Sequence, residues 1–292
     1  MKVPPFMPFG GDEVAPIDFD QADIVVLPLC YEVAPSYGTG SAEGPYHILE
    51  ASGQLECLDE ETLENWGRYR IYTLPPLTPD SDPLTAVRQM KAAAQNVLDA
   101  DKFLLSLGGD HAVSIGPITA AARRYPGTGV LQVDAHLDLR DEWNDSRYNH
   151  ACVMRRVVDD LGLPVVQVGI RSFSPEEARL VSERGFTPFY AHRIDPADAS
   201  WIDRVVEALP ETVYMTIDLD GLDPSVVPGT GTPEPGGFSY RQVVDLIRAV
   251  GTHKTVVAAD INELAKIPGT QVSEFTAARI AAKIFVYCRQ GR

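Results

Sequence analysis

This 292-residue sequence predicts a three-layer α/β/α fold, with a mostly parallel sheet between two helical layers. Three observations carry that expectation. From residue 103 onward, short apolar runs alternate with stretches of helical apolar spacing, the pattern of strand–helix–strand crossovers. The apolar runs are continuous rather than alternating, as strands buried on both faces require. Three of the runs end abruptly in Asp and His, which places polar chemistry at one edge of the sheet. Ligands of open α/β sheets bind at the carboxyl ends of strands.

The elements follow in order. After a Pro-rich lead (Pro4, Pro5, Pro8), residues 24–29 read as a first buried strand. Tyr37-Gly38-Thr39-Gly40 reads as a loop and 44–52 as a short helix. Residues 56–65 are acidic, lack apolar periodicity and are placed on the surface. A second strand at 71–74 is ended by Pro75 and Pro76. Val87, Met90, Ala94, Val97 and Leu98 give 83–100 a helical period. Strand 103–107, helix 113–124, strand 130–133, a loop and helix 150–161 come next. Strand 165–170 leads to a helix at 175–184, with Ser174 as N-cap and Pro175 in its first turn. A weaker strand at 188–191, helix 198–208 and strand 213–217 follow. A Pro/Gly-rich loop at 224–237 precedes helix 240–250, strand 256–261 and helix 273–287. No linker-like shift in composition and no repeat interrupts the pattern, so residues 1–292 are expected to form a single domain.

Lys and Arg total 25 against 41 Asp and Glu, a formal net charge of −16. That argues against nucleic acid as a partner, since phosphate binding needs clustered cations, and it suits either steering of a cationic small substrate or plain solubility. Cys30, Cys57, Cys152 and Cys288 form no C-x-x-C pair and no zinc spacing, and are expected as reduced thiols. No signal-peptide pattern and no membrane-length apolar run is present, so a cytoplasmic protein with no membrane partner is expected.

The chemistry gathers at the three strand ends. Residues 103–107 run into Gly108-Gly109-Asp110-His111, residues 130–133 into Asp134-Ala135-His136-Leu137-Asp138, and residues 213–217 into Asp218-Leu219-Asp220-Gly221. Alternate positions of extended backbone face one side, so Asp134, His136 and Asp138 are expected to project together. With His111, Asp218 and Asp220 they make six ligands, more than one four-coordinate zinc uses. Two cations sharing carboxylates account for the excess, and such pairs suit hydrolysis by activating water at neutral pH. Oxygen-rich ligation with some imidazole favours Mn²⁺, two ions per chain.

These motifs, together with Asp218-Leu219-Asp220-Gly221-Leu222-Asp223-Pro224, resemble the three signatures of the ureohydrolases, the arginase and agmatinase family. The loop at 228–237 looks like its agmatinase form. The resemblance implies an arginase-like fold, a binuclear manganese site, and homo-oligomers, usually trimers or hexamers. It implies that His111 binds one ion and His136 the other, that Asp134 and Asp218 bridge, and that Asp138 and Asp220 complete the two shells. It also implies a catalytic set of His150, Glu263 and Asp138. Glu263 would hold the planar guanidinium by charge-assisted hydrogen bonds. His150, with a reference pKa near neutrality, would protonate the leaving amine. His47, His192 and His253 match no catalytic position, and Cys152 reads as a buried thiol.

The resemblance makes agmatine the expected substrate, cleaved to urea and putrescine as in polyamine biosynthesis. N1-aminopropylagmatine, 4-guanidinobutyrate and arginine are the alternatives. Arg140 falls where arginases contact the substrate α-carboxylate and would suit a guanidino acid if it faces the pocket; ahead of that stands a solvated side chain, or one paired with Asp141 or Glu142. The run Glu263-Leu264-Ala265-Lys266-Ile267-Pro268 departs from the usual spacing of proline after the acid, and Lys266 would disfavour a cationic tail if it faced the site. Two readings from other classes compete. A binuclear metallophosphoesterase also uses Asp-x-His, but its Gly-Asn-His box is missing. A non-catalytic paralogue would be expected to have lost ligands that this chain keeps.

Overall fold

The computed structural model describes residues 3–288. All eight expected strands are present: β1 Ile24–Leu29, β2 Ile71–Thr73, β3 Phe103–Gly108, β4 Gly129–Val133, β5 Val165–Ile170, β6 Phe189–Tyr190, β7 Thr212–Asp218 and β8 Thr255–Asn262. They form one sheet in the order β2-β1-β3-β8-β7-β4-β5-β6, and every pairing is parallel. The last strand in sequence, β8, is inserted between β3 and β7. The four strands β3, β8, β7 and β4 are therefore contiguous at the centre of the sheet.

The helices are α1 Gly44–Ser52, α2 Pro83–Asp99, α3 Ile115–Arg124, α4 Val153–Asp159, α5 Pro175–Arg184, α6 Ser200–Ala208, α7 Tyr240–His253 and α8 Val272–Cys288. Alternate strand residues feed two cores. Ile24, Val26, Leu105 and Ile217 pack with α1, α6, α7 and α8 on one face. Val25, Leu27, Leu104 and Tyr214 pack with α2, α3, α4 and α5 on the other. Each fully buried Leu or Ile contributes about 1.5–3 kcal/mol, so both layers hold the sheet rigid beneath its carboxyl edge. Ser174 does cap α5, in a reciprocal capping box with Glu177, and Gly185 ends that helix at φ 68°.

Three expectations are corrected. The helices expected at 113–124 and 150–161 each open with a 3₁₀ turn, His111–Ser114 and His150–Cys152, before α3 and α4 begin. Asp110 and Asn149 accept from the amides of Ala112 and Ala151, which tightens those first turns. The acidic 56–65 segment is not wholly on the surface. Asp59 is buried and pairs with the buried Lys283 Nζ at 2.5 Å, a contact between residues 224 apart that periodicity does not register.

Candidate active site

Four contiguous strands deliver the predicted residues to one place. Gly108 and Gly109 end β3 where there is no room for a side chain. A Cβ would lie 2.0 Å from Asn262 Oδ1 at Gly108 and 1.9 Å from the Tyr31 carbonyl at Gly109. That close approach lets Gly109 accept the Glu263 amide at 2.8 Å and Asp110 accept the Val33 amide at 2.8 Å. His111 follows on its 3₁₀ turn. Its Nε2 meets Thr216 Oγ1 of β7 at 2.8 Å, which orients Nδ1 toward the carboxylates.

His111 Nδ1 lies 3.1 Å from Asp134 Oδ2, 2.9 Å from Asp138 Oδ2 and 3.3 Å from Asp218 Oδ2. His136 Nδ1 lies 3.5 Å from Asp134 Oδ1 and 3.0 Å from Asp220 Oδ2. Five of the six form two groups, His111–Asp134–Asp218 and Asp134–His136–Asp220, and Asp134 turns one oxygen to each imidazole; Asp138 adjoins the first group through His111. Asp218 was expected to bridge as Asp134 does, but it turns only Oδ2 to the His111 group, because its Oδ1 accepts the Asp220 amide at 2.9 Å. Asp134, His136 and Asp138 do converge, although not along a continuous strand: β4 stops at Val133, and Asp138 lies beyond it on left-handed backbone, φ 53°.

The electrostatics are those of crowded acids. Burial, then Asp220 and Asp134, push Asp218 well above the carboxylate range. Burial and Asp134 raise Asp138 to about 7. Burial also works against ionised Asp134, yet the two imidazoles hold it below its ordinary value. His111 Nδ1 and Asp138 Oδ2 are buried and face each other at 2.9 Å. Four carboxylates and two imidazoles converging in this way form a donor set that fits two divalent cations.

A cavity of about 450 Å³ opens over these groups, within the range of small-ligand sites. His150 and Glu263 line it with Arg140, so the structure brings every site residue named from the sequence to one cavity or its floor. Glu263 is half-buried at φ 68°, and its Oε1 accepts the His111 amide at 2.6 Å. His150 is not poised near neutrality. Burial, then His111 and His136, lower it to about 4. Its Nε2 meets Ser36 Oγ at 2.8 Å, and its Nδ1 is buried without a partner. The Arg140 guanidinium stacks over the Trp143 ring at 4.3 Å. Lys266 does not line the cavity; it pairs with Glu274 Oε1 at 3.0 Å. The concern that Lys266 repels a cationic tail is thereby removed.

Sequence reasoning missed several partners. Ser36 lies in an exposed loop after β1 and carried no signal. Thr216, Asn262 and Gln132, which donates to Asp134 Oδ2 at 2.7 Å, are polar residues inside apolar strands and were readable as such. Glu234 and Thr232 stand on the 228–237 loop, and Thr232 Oγ1 donates to Asp220 Oδ2 at 3.2 Å. Cys152 is buried as expected, which pushes its thiol up to about 12. No described helix is long and apolar enough to cross a membrane.

Comparison with known proteins agrees with this geometry. The chain is 38% identical over 279 residues to the N(1)-aminopropylagmatine ureohydrolase of Synechocystis sp., covering 92% of this chain and 90% of that one. It is 34% identical over 259 residues to the agmatinase of Bacillus cereus, covering 85% and 86%. Its fold matches the crystal structure of the agmatine ureohydrolase of Thermoplasma volcanium with a TM-score of 0.86, at 25% identity, over 98% of this chain and 96% of that one. The arginase family profile matches residues 22–287. With relatives along almost its whole length and a cavity built for paired cations, the chain belongs to the arginase family of ureohydrolases, metal-dependent hydrolases of guanidino C–N bonds.

Proposed function

We propose that this ureohydrolase acts on a cationic guanidino polyamine, N1-aminopropylagmatine ahead of agmatine, releasing urea and the corresponding amine. The observation that carries the reading is the single Asp134 carboxylate facing two ligand groups on the floor of one cavity. Agmatine, the first expectation from sequence, becomes the second reading, because the relative at 38% identity bears the aminopropylagmatine name and that at 34% the agmatinase name. The acidic protein and the pairing of Lys266 with Glu274 also favour a cation.

His111, Asp134, Asp138 and Asp218 would hold one cation and Asp134, His136 and Asp220 the other, with Mn²⁺ favoured by the oxygen-rich set. When bound, the cations supply acidified water as nucleophile and stabilise developing charge. The remaining work falls to the chain. Glu263 has Oε1 tied to the His111 amide, which leaves Oε2 to accept a guanidinium N–H and fix the guanidinium plane. His150, which lines the cavity and which burial holds below its ordinary value, would relay a proton to the leaving amine. Ser36, as donor or acceptor, holds the imidazole in place.

We also read the chain as one domain, since all eight strands share a sheet, and as a cytoplasmic homo-oligomer, trimer or hexamer, on the family resemblance. Urea release from aminopropylagmatine, agmatine, 4-guanidinobutyrate and arginine by manganese-loaded protein tests the substrate. The highest kcat/KM is expected for aminopropylagmatine, with little change in Arg140→Ala. A wild-type preference for 4-guanidinobutyrate that collapses in Arg140→Ala would make Arg140 a carboxylate anchor and overturn the reading.

A further inference from the structure

The cavity is far larger than a guanidinium needs, and its outer wall must meet the rest of the substrate. Three ionisable side chains line that wall away from the ligand groups: Arg140, Glu177 and Glu234. Glu177 is already engaged. It is buried, and its carboxylate accepts from the Leu139 amide and from Ser174. Arg140 is stacked on Trp143. Among the described residues, the Glu234 carboxylate makes no hydrogen bond or ion pair, although Arg171 feels its charge.

Arg171 cannot neutralise Glu234 by pairing, because its donors are committed to backbone. Nε donates to the Pro235 carbonyl at 3.1 Å and Nη1 to Gly169 at 3.0 Å. Nη2 donates to the carbonyls of Asp220 at 2.6 Å and Glu234 at 2.7 Å. The backbone of Glu234 is thus clipped to that of Asp220, a member of the ligand set. The arm itself is stiff: Pro233 and Pro235 flank Glu234, and Gly237 packs where a Cβ would sit 2.6 Å from Arg171 Nη2. A carboxylate carried on backbone held in place beside the ligand groups can read both the sign and the reach of the substrate's far end. Pre-organisation of this kind lowers the entropy lost on binding.

We propose that Glu234 is the specificity-determining residue that binds the distal ammonium of a guanidino polyamine, with Arg171 as the residue that positions its backbone. This deepens the proposed function and rests on it. Binding made equally in ground and transition states appears in KM and not in kcat. Glu234→Gln is therefore expected to raise KM for aminopropylagmatine about tenfold, as loss of one charge-assisted hydrogen bond at a partly open site does. Its kcat should stay within about twofold. Glu234→Lys should invert the order, so that 4-guanidinobutyrate becomes better than agmatine. Glu142→Gln, an exposed acid outside the cavity lining, controls for the general field and should leave KM unchanged. An unchanged KM in Glu234→Gln, with wild type still hydrolysing aminopropylagmatine, would overturn this inference alone. Failure of wild type to release urea from any cationic guanidino compound would instead overturn the proposed function.

Discussion

The shared carboxylate gives a prediction that does not depend on turnover. Asp134 is fully buried and places Oδ2 3.1 Å from His111 Nδ1 and Oδ1 3.5 Å from His136 Nδ1. Asp134→Asn keeps the shape but leaves one acceptor and no charge, so both cations should be lost. A ligand that binds only the folded state stabilises it by about 2.7 kcal/mol at a hundred times its dissociation constant, so two ions supply about 5.4 kcal/mol. At roughly 2–4 °C per kcal/mol for a large domain, manganese should raise the wild-type Tm by about 10–20 °C over chelated protein. In Asp134→Asn the shift should vanish, with far-ultraviolet circular dichroism reporting an intact fold and metal analysis finding no ions. Asp218→Asn faces only the His111 group and should lose one ion and about half of the shift. Two ions per chain and a full thermal shift in Asp134→Asn would refute the shared-carboxylate reading.

Other outcomes follow from single contacts. His150→Asn should keep both metals while kcat falls about 10²–10⁴-fold, and wild-type turnover in that variant would remove His150 from proton transfer. Ser36→Ala should lower kcat by about tenfold with KM unchanged, Ser36→Thr should restore it, and equal losses in both would reduce Ser36 to a loop-packing role. Lys283→Met strands the buried Asp59 and should cost about 3–5 kcal/mol in chemical denaturation. Burial pushes Asp59 up, but the Lys283 hydrogen bond brings it below its ordinary 3.8, so the pair's contribution holds above that pH and is lost as pH falls through the folded value. The gap between wild type and Lys283→Met should narrow below about pH 4, and a gap independent of pH would refute the ion-pair account.

The six candidate ligands were legible as a set because few chemistries place Asp and His together where apolar strands stop. His150 and Glu263 needed the family resemblance, since a lone His at a helix start or a lone Glu after a strand has many uses. The strand order was not legible. Nothing local in 255–262 says that this strand lies between β3 and β7, yet that insertion brings Glu263 beside His111. The residues that aim the ligands were visible and overlooked. Gln132, Gln167, Thr216 and Asp260 interrupt apolar strands at fully or nearly fully buried positions, where an unpartnered polar group costs free energy. Each has a partner: Gln132 to Asp134, Gln167 to Gln132, Thr216 to His111, and Asp260 to Tyr214. A polar residue inside an otherwise apolar strand is thus a pointer to the chemistry one turn beyond its end.

Local backbone explains why the site outran the sequence. Asp138 and Glu263 both adopt left-handed φ, 53° and 68°, where a non-glycine residue costs about 1–3 kcal/mol. Glu has no local reason to adopt it, and Asp tolerates it at many positions, so residue type did not single out Asp138. Both are imposed from outside. The Asp138 carbonyl accepts the Arg155 amide of α4 at 3.0 Å, and the Glu263 amide is held by Gly109 at 2.8 Å. The fold therefore concentrates strained backbone and crowded carboxylates at one edge of a sheet that is otherwise closely packed. The crowding of like charge raises the energy of the chain and is compensated when opposite charge arrives. On the proposed reading, the same features that make the edge unstable alone are what make it selective for paired cations, which is why the thermal shift in Asp134→Asn is a sharper probe of this site than its activity.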